Sequence, residues 1–246
     1  MKMNEIRNLL LSLVLMLPMA VQSAESVHLD KAPINPNNKA SLQRGAKIFV
    51  NYCLNCHSAA YMRYNRLAEI GLSEEQIKSN LMLAGDKVGN TMTVNMAKSD
   101  GNAWFGAAPP DLSVEARARG ADWLYSYMRG FYKDESRPTG WNNIVFDKVA
   151  MPHVLWQLQG VQVLKAEGQS NELGASAMSK LILEEPGVLS PKEYNALVAD
   201  LVNYMVFMSE PAKHDRLHLG IYVLLFLGLL FVLTYFLKKE FWKDVE

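Results

Sequence analysis

Apolar residues in this chain form two continuous runs, and the stretch between them shows helical periodicity. The longer run, "LGIYVLLFLGLLFVLTYFL" from Leu219 to Leu237, contains no charged residue. At 1.5 Å per residue it reaches roughly 28 Å, close to the hydrocarbon thickness of a bilayer, about 30 Å. Tyr222, Tyr235, Phe236 and Trp242 stand near its ends, where amphipathic rings favour the lipid–water boundary. The shorter run, Leu9 to Leu17, follows Lys2 and Arg7 and precedes Pro18 and small residues between Ala20 and Ala24. That order reads as a secretory signal peptide over 1–24, since the run is too short to span a bilayer.

Between the runs the apolar period is that of a helix. Leu42, Ala46, Phe49, Val50 and Cys53 share one face, with Asn38 as a cap. Gly45 in mid-helix costs about 1 kcal/mol relative to alanine, so a close crossing with a second helix is expected there. Ser190, Pro191 and Glu193 form a capping box with proline at the first helical position. They open a helix with Leu197, Val198, Leu201, Val202, Met205 and Met208 on its apolar face, ended by Pro211. "ADWLYSYMRG" predicts a third helix ending at Gly130. Strand signals are few, and 84–111 and 131–152 read as long loops of the kind that wrap a ligand. The prediction is a mainly α domain over 25–212 and an anchor over 213–246, spanning about 219–237 with a short tail.

Charge removes one class of partner. Lys and Arg number 25, Asp and Glu also 25, so no basic excess points to nucleic acid. If the leader exports the chain behind it, the apolar span stops transfer. The domain then lies on the periplasmic side of the inner membrane, held to the bilayer by a single pass, with the tail in the cytoplasm.

The chemistry concentrates in "NYCLNCHSAA", residues 51 to 60, which holds both cysteines of the chain. A Cys53–Cys56 disulfide would close only a tiny loop. A structural zinc site takes four Cys or His ligands, and only five histidines and no further cysteine are available. A thioredoxin-like pair needs a βαβ context, whereas the flanks read as helix. Cys-x-x-Cys-His is the attachment signature of c-type haem. Two thiols on one turn can each add to a porphyrin vinyl group, and the following imidazole, His57, then serves as an axial ligand to iron. The expected cofactor is one covalently attached haem c, and the expected fold a mainly α c-type cytochrome domain. For the second axial position, Met82, Met92, Met96, Met151, Met178, His153, His214 and His218 remain open. Pro152 favours Met151, because it stiffens the loop that would present the sulfur. Met128, Met205 and Met208 read as helix packing.

Four stretches in order, "RGAKIFVNYCLNCHS", "APPDLSVEARARGADWLYSYMRGFY", "VAMPHVLWQLQG" and "MSEPAKHDRLHLG" with its terminal span, resemble the cytochrome c1 family in a bacterial form. That family supplies the haem subunit of ubiquinol–cytochrome c oxidoreductase, the cytochrome bc1 complex. The resemblance implies Cys53 and Cys56 as thioether anchors and His57 and Met151 as axial ligands. It implies Pro110 packing on the haem, Arg119 pairing with a propionate, and Trp123 in the pocket where the family often has tyrosine. It further implies an electron-transfer subunit with no substrate site of its own. Such a subunit takes electrons from the Rieske iron–sulfur protein beside cytochrome b and gives them to a soluble c-type cytochrome. The acidic insertion of mitochondrial members and the extra cysteine pair of some members are missing. A membrane-anchored c-type subunit or shuttle for a terminal oxidase or nitric oxide reductase is the alternative. If the cysteines carry the cofactor, the unfolded polypeptide matured in its native host keeps its colour on a haem-stained denaturing gel; a colourless band removes the cofactor and everything built on it.

Overall fold

The computed structural model describes residues 28–83, 85–165 and 176–243; the predicted leader, 1–24, lies outside the described residues. Helix α1, Lys39–Ile48, starts where the Asn38 side chain accepts from the Ser41 N–H. It runs on into a π turn, Phe49–Cys53. A short strand β1, Ala59–Arg63, leads into a 3-10 turn, Tyr64–Ile70, and helix α2, Glu74–Asn80, which has its own capping box at Ser73. Strand β2, Thr91–Met92, pairs antiparallel with β1, and helix α3, Lys98–Phe105, follows. Thus 84–111, predicted as loop, contains a strand and a helix too short and too polar to show an apolar period.

Helices α4, Glu115–Arg119, and α5, Ala121–Arg129, are separated by Gly120 at φ 88°, a conformation glycine adopts without a Cβ clash. Strands β3, Phe131–Lys133, and β4, Trp141–Asn143, form a hairpin within the second predicted loop. A single turn α6, Trp156–Gln159, runs into β5, Gly160–Leu164, which pairs antiparallel with β6, Leu181–Pro186. Helix α7, Pro191–Ser209, carries the capping box at Ser190 and Glu193. The predicted mainly α class stands, and among the described residues it is joined by three two-stranded sheets.

Helices α1 and α7, from opposite ends of the domain, cross in its core. Leu42, Ala46, Phe49 and Val50 of the first segment are buried with Val198, Leu201, Val202 and Met205 of the last, each large side chain contributing about 1.5–3 kcal/mol. The Phe49 and Tyr204 rings meet at 5.5 Å. A Cβ on Gly45 would overlap the Asp200 carbonyl and lie 2.7 Å from Tyr204 Cβ, so the helices approach more closely than any side chain there allows. The segment before α1 is strapped to α5: Asp30 N–H donates to Ser126 Oγ at 2.8 Å, and Arg129 pairs with the Asp30 carboxylate at 2.8 Å.

Helix α8, Lys213–Phe241, contains a candidate span, Arg216–Phe241, whose most apolar 18 residues have a mean hydropathy of 2.4, with none of them buried in the protein. It is long and apolar enough to cross a membrane. At its root Glu210 accepts from Arg216 at 3.0 Å, with Lys213 at 3.6 Å and Arg117 of α4 at 3.8 Å. Gly45→Val should cost about 3 kcal/mol through overpacking, a fall in Tm of roughly 6–12 °C for a domain of this size. Gly89→Ala, where an added Cβ meets nothing within 4 Å, should leave thermal unfolding unchanged.

Candidate haem site

The π turn sets the first wall of the site. Leu54 N–H donates to the Phe49 carbonyl at 3.0 Å, and the Cys53 carbonyl then accepts from Cys56 N–H at 3.1 Å and His57 N–H at 2.9 Å. The motif is therefore one closed turn, and Cys53, Cys56 and His57 line the same cleft. His57 Nδ1 lies 2.8 Å from the Pro110 carbonyl. A carbonyl only accepts, so Nδ1 carries the hydrogen and Nε2 keeps its lone pair. Burial is the main cause that lowers the His57 pKa, against the Pro110 carbonyl, Glu115 and Asp111, and keeps the ring neutral. The two cysteines are free. Burial, then the neighbouring Cys56, pushes the Cys53 thiol up to about 12, and burial raises Cys56 too. That is opposite to the lowered thiol pKa of a redox-active pair.

The Pro110 carbonyl is held in place by the residues after it. The Asp111 carboxylate accepts from Ala60 N–H and Ser113 N–H, both at 2.8 Å. Ser113 Oγ accepts from Tyr61 N–H at 3.0 Å, and Leu112 N–H donates to the Ser58 carbonyl at 2.8 Å. These bonds clip 110–113 onto the segment directly after His57. The Pro-Pro-Asp-Leu-Ser stretch is in this sense a clasp for the histidine.

A spacing of four residues builds a second wall. Arg119 Nε donates to Glu115 at 2.8 Å while its guanidinium carbon lies 4.5 Å from the Trp123 ring centroid and 5.6 Å from that of Phe146. Trp123 stacks on Tyr127 at 4.8 Å and 11°. The Tyr127 hydroxyl donates to Met151 Sδ at 3.5 Å, a normal reach for sulfur. Burial raises the Tyr127 pKa. Met151 sits on the return from the β3–β4 hairpin, which two buried asparagines fasten. Asn142 Oδ1 accepts from Lys148 N–H at 2.9 Å, and Asn143 Nδ2 donates to the Tyr127 carbonyl at 2.8 Å.

Cys53, Cys56, His57, Pro110, Arg119, Trp123 and Met151 thus meet at one cleft. Met128 and Met205, predicted as helix packing, also line it; Met82, Met92, Met96 and Met178 do not. Pro152 and Val154 face the cleft and His153 between them does not. Tyr127 is among the cleft residues that the sequence did not single out, although the 119, 123, 127 spacing carried the signal.

A family model, the Cytochrome C1 family, matches residues 30–245. The chain belongs to the cytochrome c1 family. It is 53% identical over 244 residues, 99% of this chain and all of the relative, to a Nitrosomonas europaea protein named ammonia monooxygenase gamma subunit. It is 46% identical over 243 residues to cytochrome c1 of Allochromatium vinosum, covering 98% of this chain and all of the relative. Cytochrome c1 of Rhodospirillum rubrum is 29% identical over 242 residues, 85% of this chain and 83% of that one.

Members of the cytochrome c1 family carry one covalently bound c-type haem and transfer electrons, and these residues fit that group. The cleft is overwhelmingly apolar, with two free thiols and a neutral imidazole on one turn. The imidazole donates its Nδ1 hydrogen to a backbone carbonyl, the arrangement that orients histidine toward a metal. Cationic Arg119 lies among the lining residues with part of its side chain exposed.

His153 does different work. It is 1% exposed, stacked on Phe131 at 4.9 Å and 1° and edge-on to Trp141 at 5.1 Å. Neither ring nitrogen has a well-formed hydrogen bond. Burial lowers its pKa to about 4, with the Gln159 side chain pulling the other way. An unfolded histidine titrates at about 6.5. Between these values the unfolded chain binds a proton that the native one refuses, so stability falls as pH drops and levels off below about 4. The loss should total about 3 kcal/mol, read as thermal unfolding across that range, and His153→Phe should remove it.

Proposed function

We propose that Cys53 and Cys56 hold the haem through thioether bonds and that His57 and Met151 are its axial ligands. The observation that carries this reading is the convergence of two thiols, an oriented imidazole and one loop-borne methionine on a single apolar cleft. Bound there, the haem supplies a one-electron couple. The Pro110 carbonyl keeps His57 in the tautomer with a free Nε2, and the clasp from Asp111 to Ser113 keeps that carbonyl in place. A thioether opposite histidine raises the potential relative to other ligation. With His57 and Met151 both holding the metal, no position on it would be left for a substrate. Arg119, at the Trp123 face, pairs with a haem propionate, and Pro110 and Trp123 form part of the pocket wall.

In this reading residues 1–24 are a cleaved leader, 25–212 form a periplasmic domain, and 213–246 anchor it in the inner membrane through about 219–237. The domain takes single electrons from the Rieske iron–sulfur protein, with the anchor beside cytochrome b, and hands them to a soluble c-type cytochrome. Support comes from the family membership, from the apolar helix α8 and from the fit of the cleft. The name of the Nitrosomonas relative favours a second reading, the same one-electron relay serving an ammonia monooxygenase.

Met151→Ala should lower the midpoint potential and let carbon monoxide bind the reduced, undenatured protein rapidly. An unchanged potential and spectrum would remove Met151 from the ligand set. Purification from native membranes separates the two readings: cytochrome b and a Rieske protein should accompany the chain, whereas monooxygenase subunits in their place would establish the second.

A further inference from the structure

The Tyr127 hydroxyl is a polar group in an apolar wall, and among the described residues its hydrogen bond goes to the Met151 sulfur, at 3.5 Å. The phenol is 9% exposed and fixed from three sides. Trp123 stacks on one face at 4.8 Å, Phe131 meets it edge-on at 5.1 Å, and the Tyr127 carbonyl accepts from Asn143 at 2.8 Å. Asn143 also closes the hairpin that leads to Met151, its Oδ1 accepting from Val145 N–H at 2.9 Å. One asparagine therefore sets both the donor and the loop that carries the acceptor.

A thioether sulfur has two lone pairs. If one is given to a metal, as the assignment of Met151 above requires, the second can accept a hydrogen bond, and that bond draws electron density from the sulfur. The ferric state needs the donation more than the ferrous state does. From this geometry we infer that Tyr127 is a positioning residue that weakens Met151 as a donor and so raises the reduction potential of the site. The inference rests on Met151 being an axial ligand, and it assigns a role to a residue that itself binds no metal.

The test is a redox titration of the haem-loaded, membrane-solubilised full chain. Tyr127→Phe keeps the ring and its stack and loses only the hydroxyl. The equilibrium for reduction should shift about fivefold toward the oxidised form, about 40 mV at 59 mV per tenfold. Replacing Tyr127 by 3-fluorotyrosine, which has nearly the same shape and is a stronger donor, should shift it the other way. Opposite shifts are not expected of a role in packing alone. In a Met151→His background the effect of Tyr127→Phe should vanish, because the sulfur is gone. Unchanged potentials in Tyr127→Phe and in the fluorotyrosine protein, with Met151→Ala still lowering the potential, would overturn the inference and leave the ligand standing. An unchanged potential in Met151→Ala would overturn both. Should Tyr127→Phe load too little haem to titrate, the fluorotyrosine protein alone decides by the presence or absence of its upward shift.

Discussion

Two helices from opposite ends of the domain touch at Gly45, and that contact sets the position of the cleft. Helix α1 delivers the Cys-x-x-Cys-His turn at its end, while α7 delivers Leu201 and Met205 to the same cleft. With the Asp200 carbonyl where a Cβ would be, the two axes approach to backbone contact. Any side chain at 45 would push the motif away from the surface it closes against. A cost of about 1 kcal/mol in helix propensity is offset by the packing of Phe49, Val50, Leu201 and Val202 around the crossing.

Around that crossing the segments that carry His57 and Met151 are held by side chains bonded to backbone rather than by long secondary structure. Asp111 and Ser113 satisfy N–H groups just after His57. Asn142 and Asn143, both buried, do the same for the hairpin before Met151. Buried backbone groups demand partners. Where the chain is too irregular to pair with itself, short polar side chains supply them, and each such bond fixes the loop to within a hydrogen-bond length. This is how long connections present a histidine and a methionine to one small volume without a framework of strands.

Two of the ion pairs in the domain come from one short stretch and face different places. Arg119 belongs to the cleft, neutralised on one side by Glu115 and resting on Trp123. Arg117, two residues earlier, turns to Glu210 at the root of the apolar helix. One short basic stretch thus faces both the cofactor cleft and the joint with the membrane helix. The partly exposed pairs contribute little to stability individually, on the order of 1 kcal/mol or less. Their value is orientation.

Much of this was legible along the chain, and the reasons are physical. The haem signature, the capping box at Ser190, the apolar span and the mainly α class are local: each depends on neighbours within one or two turns, so linear order reports them. The need for a close crossing at Gly45 was readable as well, because glycine inside a strong helix asks for a reason. The short strands were not, since β2 and β3 run two and three residues, too few for an alternating pattern, and β2 pairs with β1 from the far side of α2. Nor could spacing say that Met128 and Met205 would line the cleft, that His153 would turn its ring away from it, or that Tyr127 would reach the sulfur of Met151. Those outcomes belong to the tertiary structure, because a side chain's neighbours are chosen by how helices cross and how loops are pinned. The sequence named the chemistry and the elements that carry it; three-dimensional packing decided which side chains meet.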